Sequence, residues 1–346
     1  MRVAIVDDST MAVESLRRVL ASLPNIQLAW VARDGAEAVW RCTLDKPDLI
    51  LMDLIMPVMD GVEATRKIMA STPCAILIVT STVAGNASKA FQAMGFGALD
   101  AVNTPVLGSA GDGPGKEELL AKIATICKLV CNKREDVVVP RAEKGLSRVV
   151  ASSDAALVAI GASSGGPHAL AEVLSALPAD FSSPVVIIQH VDENFSSELA
   201  QWLDKKCALN VKLARSGDSL MPGQVLIAGT NDHLIIRPDN LLDYTPFPRE
   251  MSYRPSVDIF FNSVADNWKG NVVAVLLTGM GRDGAEGLLH LRNKGMHTIA
   301  QNEATCAVYG MPKAAVKLNA AVDILPLDQI GSALVTLLPA RYRRKG

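Results

Sequence analysis

Short, nearly uninterrupted apolar runs alternate with stretches whose apolar residues recur every three or four positions, and this continues over most of the 346 residues. The runs Val3–Val6, Ile26–Val31, Asp48–Met52, Ala75–Val79 and Leu99–Val102 predict buried strands. Between them, Val13, Leu16, Val19 and Leu20 mark one amphipathic helix, and Gly35–Leu44, Gly61–Ala70, Ala87–Met94 and Glu117–Val130 predict others. Five such units in residues 1–128 imply a doubly wound, five-stranded parallel sheet, with chemistry at the carboxyl ends of its strands. A Gly- and Pro-rich stretch, 100–115, predicts a long loop. Residues 129–153 lose the periodicity and read as an interdomain linker, with a charge run at Lys133–Asp136. From 154 to 346 the alternation resumes with runs at Leu157–Gly161, Val185–Gln189, Gln224–Ala228, Leu234–Arg237, Val272–Thr278 and Thr298–Gln301. These predict a second, mostly parallel α/β domain with an antiparallel edge or hairpin around 224–242.

The run from Leu157 stops at Gly161-Ala-Ser163-Ser164-Gly165-Gly166-Pro167, and apolar spacing at Leu170, Val173, Leu174 and Leu177 continues as a helix. Pro167 suits a first helical turn, where a missing N–H costs nothing. A serine on such a strand–turn–helix corner is lifted out of the sheet beside free helix N–H groups. The G-x-S-x-G match fits a nucleophile elbow, and equally a glycine cradle for phosphate.

A serine nucleophile needs a base within hydrogen-bond reach and a carboxylate that fixes the base's tautomer. Of the five histidines, His168 lies on the helix after the turn, His233 in the turn Thr230-Asn-Asp-His, and His290 and His297 at late helix and loop positions. His190 ends the run Val185–Gln189, in the layer where Ser163 ends its own. Asp283 stands at the tip of a second strand–glycine turn, Leu277-Thr-Gly-Met-Gly-Arg-Asp-Gly; in isolation it would equally serve as N-cap of the next helix. Asp192, Asp218 and Asp258 are its rivals. N–H groups of either turn would supply an oxyanion hole.

At the strand ends of the first half, Asp7 and Asp8, Asp53 and Thr80 gather. Converging carboxylates repel one another unless a hard cation sits among them, and oxygen ligands with open positions suit Mg²⁺. Helix capping is the competing role for Asp7 and Asp8.

Composition narrows the options. The net charge of −2 leaves no basic field to hold nucleic acid, and 49% hydrophobic with 20% charged residues is a globular balance. No apolar segment approaches bilayer length and the amino terminus resembles no targeting peptide, so a cytoplasmic protein is expected. The six cysteines show no disulfide framework; Cys127 and Cys131 lie one helical turn apart without a second pair to complete a metal site. The basic tail Arg341–Lys345 reads as a solvated terminus.

Residues 1–128, with Asp53-Leu-Ile-Met-Pro57 and Asp60-Gly61, resemble a response-regulator receiver domain. That resemblance implies phosphorylation of Asp53 by a histidine kinase, Mg²⁺ held by Asp7, Asp8 and Asp53, and Thr80 on the phosphoryl oxygen. One position departs: receivers carry a lysine before the proline after the fifth strand, and here Thr104 precedes Pro105. The motifs around Ser163, Gln189-His190, Tyr253-Arg-Pro-Ser-Val-Asp258 and Leu277–Gly284 resemble the chemotaxis methylesterase family CheB, over essentially the whole chain. The resemblance implies Ser163 as nucleophile, His190 as base, Asp283 as orienting acid and the Met280 backbone at the oxyanion site. Ser164 stands where the family usually has threonine. Hydrolysis of glutamyl methyl esters on chemoreceptors, glutamine deamidation and a monomer needing no cofactor for the ester chemistry are implied. So is an unphosphorylated receiver that covers the active site until phosphorylation relieves it. A non-catalytic receiver-containing adaptor, or phosphate sink, is the alternative; a DNA-binding regulator and a nucleotide cradle lack their motifs.

Overall fold

The computed structural model describes residues 1–82, 84–105, 115–131, 156–191, 193–251 and 253–338. Residues 129–131 of the expected linker still belong to a helix, Lys116–Cys131, while 132–153, most of the 100–115 loop, Asp192 and the basic tail lie outside the described residues. The chain divides into two compact units, Met1–Glu143 and Lys144–Gly346.

The first unit runs β1 (Arg2–Val6), α1 (Thr10–Ala21), β2 (Gln27–Ala32), α2 (Gly35–Leu44), β3 (Leu49–Met52), α3 (Gly61–Ser71), β4 (Ala75–Thr80), α4 (Ala87–Gly95), β5 (Asp100–Asn103) and α5 (Lys116–Cys131). All pairings are parallel, in the order β2-β1-β3-β4-β5. Residues of β3 are buried on both faces, as a central strand between two helical layers requires. Val13, Leu16, Val19 and Leu20 of α1 join Leu119, Ile123 and Ile126 of α5 against one face of the sheet. The caps are Ser9 for α1, Asp34 for α2 and Asp60 for α3, each accepting from a first-turn N–H. Asp7 and Asp8 are therefore not spent on capping α1. Strand order reverses between β1 and β3, which opens a crevice where Asp7, Asp8 and Asp53 emerge.

The second unit runs β6 (Ala156–Ala162), α6 (Gly166–Ser175), β7 (Val185–Gln189), α7 (Glu193–Asp204), β8 (Asn210–Leu213), β9 (Gln224–Ile227), β10 (His233–Ile236), β11 (Leu242–Thr245), α8 (Val257–Asn267), β12 (Asn271–Leu276), α9 (Ala285–Asn293), β13 (His297–Gln301), α10 (Met311–Lys317), β14 (Asp323–Leu325) and α11 (Leu327–Leu337). Seven strands pair in parallel in the order β14-β13-β12-β6-β7-β9-β8, and β10 and β11 form a separate antiparallel hairpin. Two expectations change. Gln224–Ile227 joins the main parallel sheet, between β7 and β8, and the hairpin moves to 233–245. His297 opens a buried strand rather than a loop.

The order reverses again between β6 and β12, and the turns after both strands open into one crevice. Helix α8 packs directly beneath it. A Cβ on Gly161 would stand 2.3 Å from Val257 Cγ1, so the bare backbone of β6 is what admits the first turn of α8. Phe260 and Phe261, both fully buried, anchor the helix from below. Truncating either to alanine would cost about 3–5 kcal/mol.

Candidate active site

Ala162 of β6 pairs in register with Gln189 of β7, and the His190 N–H extends the ladder to the Ala162 carbonyl at 3.1 Å. Ser163 and His190 thus leave neighbouring strand ends side by side. Ser163 is nearly buried; its N–H donates to the Thr278 carbonyl at 3.1 Å. Its own carbonyl accepts from the Gly166 N–H at 2.7 Å and from Gln189 Nε2 at 2.9 Å. Gly165 closes the turn at φ +75°, where a Cβ would stand 2.5 Å from that of Ala307. Only glycine takes this position without strain. Thr278 ties the two turns together: its hydroxyl contacts the Ser164 carbonyl at 3.0 Å and its N–H donates to Gln301 Oε1 at 2.8 Å. Met280 follows in the second turn, and among the described residues neither its N–H nor that of Ser164 has an acceptor.

Gly284, not Asp283, caps α9. The Asp283 carboxylate reaches instead to the amino end of α8. Its Oδ2 accepts from His190 Nε2 at 2.8 Å and the Val257 N–H at 2.7 Å. Its Oδ1 accepts from the Ser256 hydroxyl at 2.7 Å and the Asp258 N–H at 3.1 Å. Burial alone would raise its pKa; the His190 ring, the Ser256 hydroxyl and the Val257 N–H outweigh burial and hold it at about 2. The positive end of the helix adds in the same direction. An ionised carboxylate only accepts, so the ring proton of neutral His190 is assigned to Nε2 and the lone pair to Nδ1. Nδ1 is buried without a partner. The Tyr253 ring lies parallel on the imidazole, centroids 4.4 Å apart and planes 2° apart.

The other histidines are engaged elsewhere or exposed. His168 faces solvent. His233 is buried between the Ser256 N–H and the Pro248 carbonyl. His290 pairs with Asn262 and Asp266, and His297 with Asp323 at the opposite, amino-terminal edge of the sheet. Among the rival carboxylates, Asp218 accepts from the Arg215 N–H and Asp258 from the Gly287 N–H. Burial, aided by the neighbouring Asp283, pushes Asp258 up to about 6. Sequence alone assigns no role to Tyr253, Ser256 or Thr278. The first two lie in the segment 253–258, whose pattern is visible in the sequence although its contacts are not.

In the first unit, Asp7, Asp8 and Asp53 offer oxygens all within 4.8 Å of one another. Burial, with Asp53 and Asp8 beside it, pushes Asp7 up to about 6 against the opposing Ser9 N–H. Burial also raises Asp53, while the Ile55 and Leu54 N–H groups and the Thr80 hydroxyl pull it back. Thr80 in turn accepts from Asn86 Nδ2 at 3.1 Å. The chemistry of this donor set, three crowded carboxylates open to solvent at Asp8, fits a hard divalent cation. Thr104, half-buried, donates its N–H to the Thr80 carbonyl at 2.8 Å. Lys89 pairs with Asp60 and Lys122 with Asp100.

Comparison with known proteins supports both halves. The family description "CheB methylesterase" matches residues 158–334 and "Response regulator receiver domain" matches residues 3–108. A Pseudomonas aeruginosa protein named protein-glutamate methylesterase/protein-glutamine glutaminase 3 is 52% identical over 338 residues, 96% of this chain and 98% of its own. A Burkholderia thailandensis protein of the same description, numbered 4, is 51% identical over 345 residues, with both chains covered completely. The crystal structure of the Thermotoga maritima CheB methylesterase catalytic domain is 34% identical, with a TM-score of 0.51, covering 54% of this chain and all of that one. With a receiver fold in front, a parallel α/β unit behind and relatives of this description along its full length, the chain belongs to the CheB family of protein-glutamate methylesterase/protein-glutamine glutaminases.

Proposed function

We propose that Ser163, His190 and Asp283 carry the hydrolysis, and that the substrates are glutamyl methyl esters and glutamines on the cytoplasmic helices of a chemoreceptor. His190 Nδ1 takes the Ser163 hydroxyl proton as Oγ attacks the carbonyl carbon. This is the reverse of the arrangement in which Nε2 faces serine. The N–H groups of Met280 and Ser164 receive the oxyanion, and the Ser164 hydroxyl flanks it. Collapse expels methanol, or ammonia from glutamine, with the imidazolium returning its proton to the leaving group. Water then attacks the acyl-enzyme, again through Nδ1, and regenerates Ser163 and a glutamate carboxylate. The observation that carries this reading is the bare, buried Nδ1 of a ring fixed by Asp283 beside Ser163.

For the receiver, the reading is phosphorylation of Asp53 by a histidine kinase, with Mg²⁺ held by Asp7, Asp8 and Asp53 and Thr80 donating to a phosphoryl oxygen. The cation would neutralise charge on the transferring group. Thr104 supplies no ammonium there, which weakens the coupling of phosphorylation to output.

The test is methanol release from methylated receptor by wild type and Ser163→Ala, with and without a small acyl phosphate as phosphodonor. Release that vanishes in the variant and rises with phosphodonor supports both parts. Release indifferent to phosphodonor refutes the regulatory part, and no release from folded wild type favours the adaptor.

A further inference from the structure

We propose that Arg254 and Arg282 form a cationic rim over the Ser163 site that binds carboxylates one helical turn away from the reacting side chain. The inference rests on the assignment of Ser163, His190 and Asp283 above and adds what recognises the substrate helix. Tyr253 lies flat on the His190 ring. Gly281 comes so close that a Cβ on it would stand 3.3 Å from the Tyr253 hydroxyl. The segments 253–255 and 280–284 therefore meet beside His190, and each carries an exposed arginine, Arg254 next to Tyr253 and Arg282 next to Gly281. Among the described residues neither Arg254 nor Arg282 has an ion pair or hydrogen bond, whereas Arg2, Arg41, Arg66 and Arg237 all pair with acids.

The nearest carboxylates do not quench the pair. All four contacts of Asp283 point inward, and Asp258 is turned to Gly287. Glu250 and Glu286 are the exposed acids on the same stretches, and Arg249 lies over the Phe247 ring. An incoming carboxylate thus displaces no internal partner of either arginine.

The group being cleaved is neutral, an ester or an amide, so the arginines do not read it. On a helix, side chains three and four positions away stand about 5–6 Å from it, within the reach of an arginine. A substrate helix carrying glutamates at those spacings would place them on the rim. One consequence is directional: each hydrolysis creates a carboxylate and so improves binding for an ester one turn away.

The experiment compares wild type, Arg254→Gln, Arg282→Gln, the double variant and Arg282→Lys. Methanol release is measured from full-length methylated receptor, and from receptor whose glutamates one turn from the scissile residue are replaced by alanine. Exposed charge pairs of this kind predict a KM raised about threefold by each single change and about tenfold by both, with kcat within about twofold. Arg282→Lys keeps KM within about twofold. For the wild type, the Ala-flanked receptor shows the raised KM; for the double variant, the two receptors are equivalent and added salt has little effect. In a Ser163→Ala background, calorimetric titration with receptor gives the same ratios as dissociation constants, so the rim is tested even where chemistry fails. Unchanged affinity in the double variant, or equal wild-type KM for both receptors, overturns the rim. Retained turnover in Ser163→Ala alone overturns the active-site reading instead.

Discussion

Replacing Asp283 by asparagine discriminates sharply, because the carboxylate accepts from four donors and an amide can accept from two. The substituted amide has two orientations. With its oxygen at the Oδ1 position, the NH2 faces the Val257 N–H and His190 Nε2, the ring proton must move to Nδ1, and the base is lost. With its oxygen at the Oδ2 position, the bonds from Val257 at 2.7 Å and His190 at 2.8 Å survive. The NH2 then meets the Ser256 hydroxyl, which rotates to accept, and the Asp258 N–H, which loses the longest of the four bonds at 3.1 Å. The second orientation wins, so His190 keeps its tautomer and loses only the charge opposite the imidazolium. A hydrogen bond to a charged group is worth about 1.5–3 kcal/mol against about 1 for a neutral one, so kcat falls by about 2–30-fold. One buried N–H left without an acceptor costs about 1–3 kcal/mol of stability. The assay is single-turnover methanol release at saturating receptor, with a thermal melt of the same preparation. A loss of about 10⁴, the size expected for a wrong tautomer, would show the amide in the other orientation. A rate equal to that of wild type would refute the assignment of His190 and Asp283.

Three further outcomes follow from particular contacts. Tyr253→Leu removes the ring stacked on His190 and lowers kcat/KM by about 2–10-fold, whereas Tyr253→Phe, which keeps the stack, stays within about twofold; equal losses in both would assign the effect to the hydroxyl. Asp7, raised to about 6, binds a proton more tightly in the folded receiver than in the unfolded chain. Its contribution to stability therefore falls as pH rises from the ordinary carboxylate range through 6, and Mg²⁺ must displace that proton. Calorimetric titration should find Mg²⁺ affinity dropping about tenfold per unit below pH 6 and level above it, and a flat profile would contradict the carboxylate site. Val58, exposed and held at φ +65°, is a β-branched residue in left-handed conformation. Val58→Asn should stabilise the receiver by about 1 kcal/mol, read as slower amide exchange throughout β3 and α3, and unchanged exchange would mean the strain is absorbed elsewhere.

The alternation of apolar runs and helical spacing carried most of the fold, because both sheets are parallel and bury their central strands on both faces. Strand positions in β3, β7 and β9 stand out for that reason. The pieces that escape the pattern are those whose burial is partial. Strand β8, Asn-Val-Lys-Leu, and β14, with three half-buried residues, lie at the two edges of the seven-stranded sheet, where one face of pattern disappears. His297 reads as a loop residue because a histidine opening a strand carries no β signal; its pairing with Asp323 is what lets it be buried.

The site divides along the same line. Ser163 and His190 sit at consecutive parallel strand ends, and topology alone brings such positions together. The surroundings of Asp283 obey a different logic. As an isolated residue it reads as a cap for the helix that follows. Yet Gly161 lets Val257 and the first turn of α8 come up against the sheet, and that turn presents the Ser256 hydroxyl and two N–H groups to the carboxylate. Asp283 caps a helix that precedes it in the chain, and the same bonds that satisfy the helix keep it ionised beside His190. The capping and triad roles, which look like rivals in sequence, are therefore one arrangement: removing the α8 contacts would raise the Asp283 pKa and loosen the ring it orients. Ser256→Ala tests this union, since it touches neither Ser163 nor His190. It should shift the acid limb of the kcat/KM profile upward in pH, whereas a purely structural cap would lower stability and leave the limb in place.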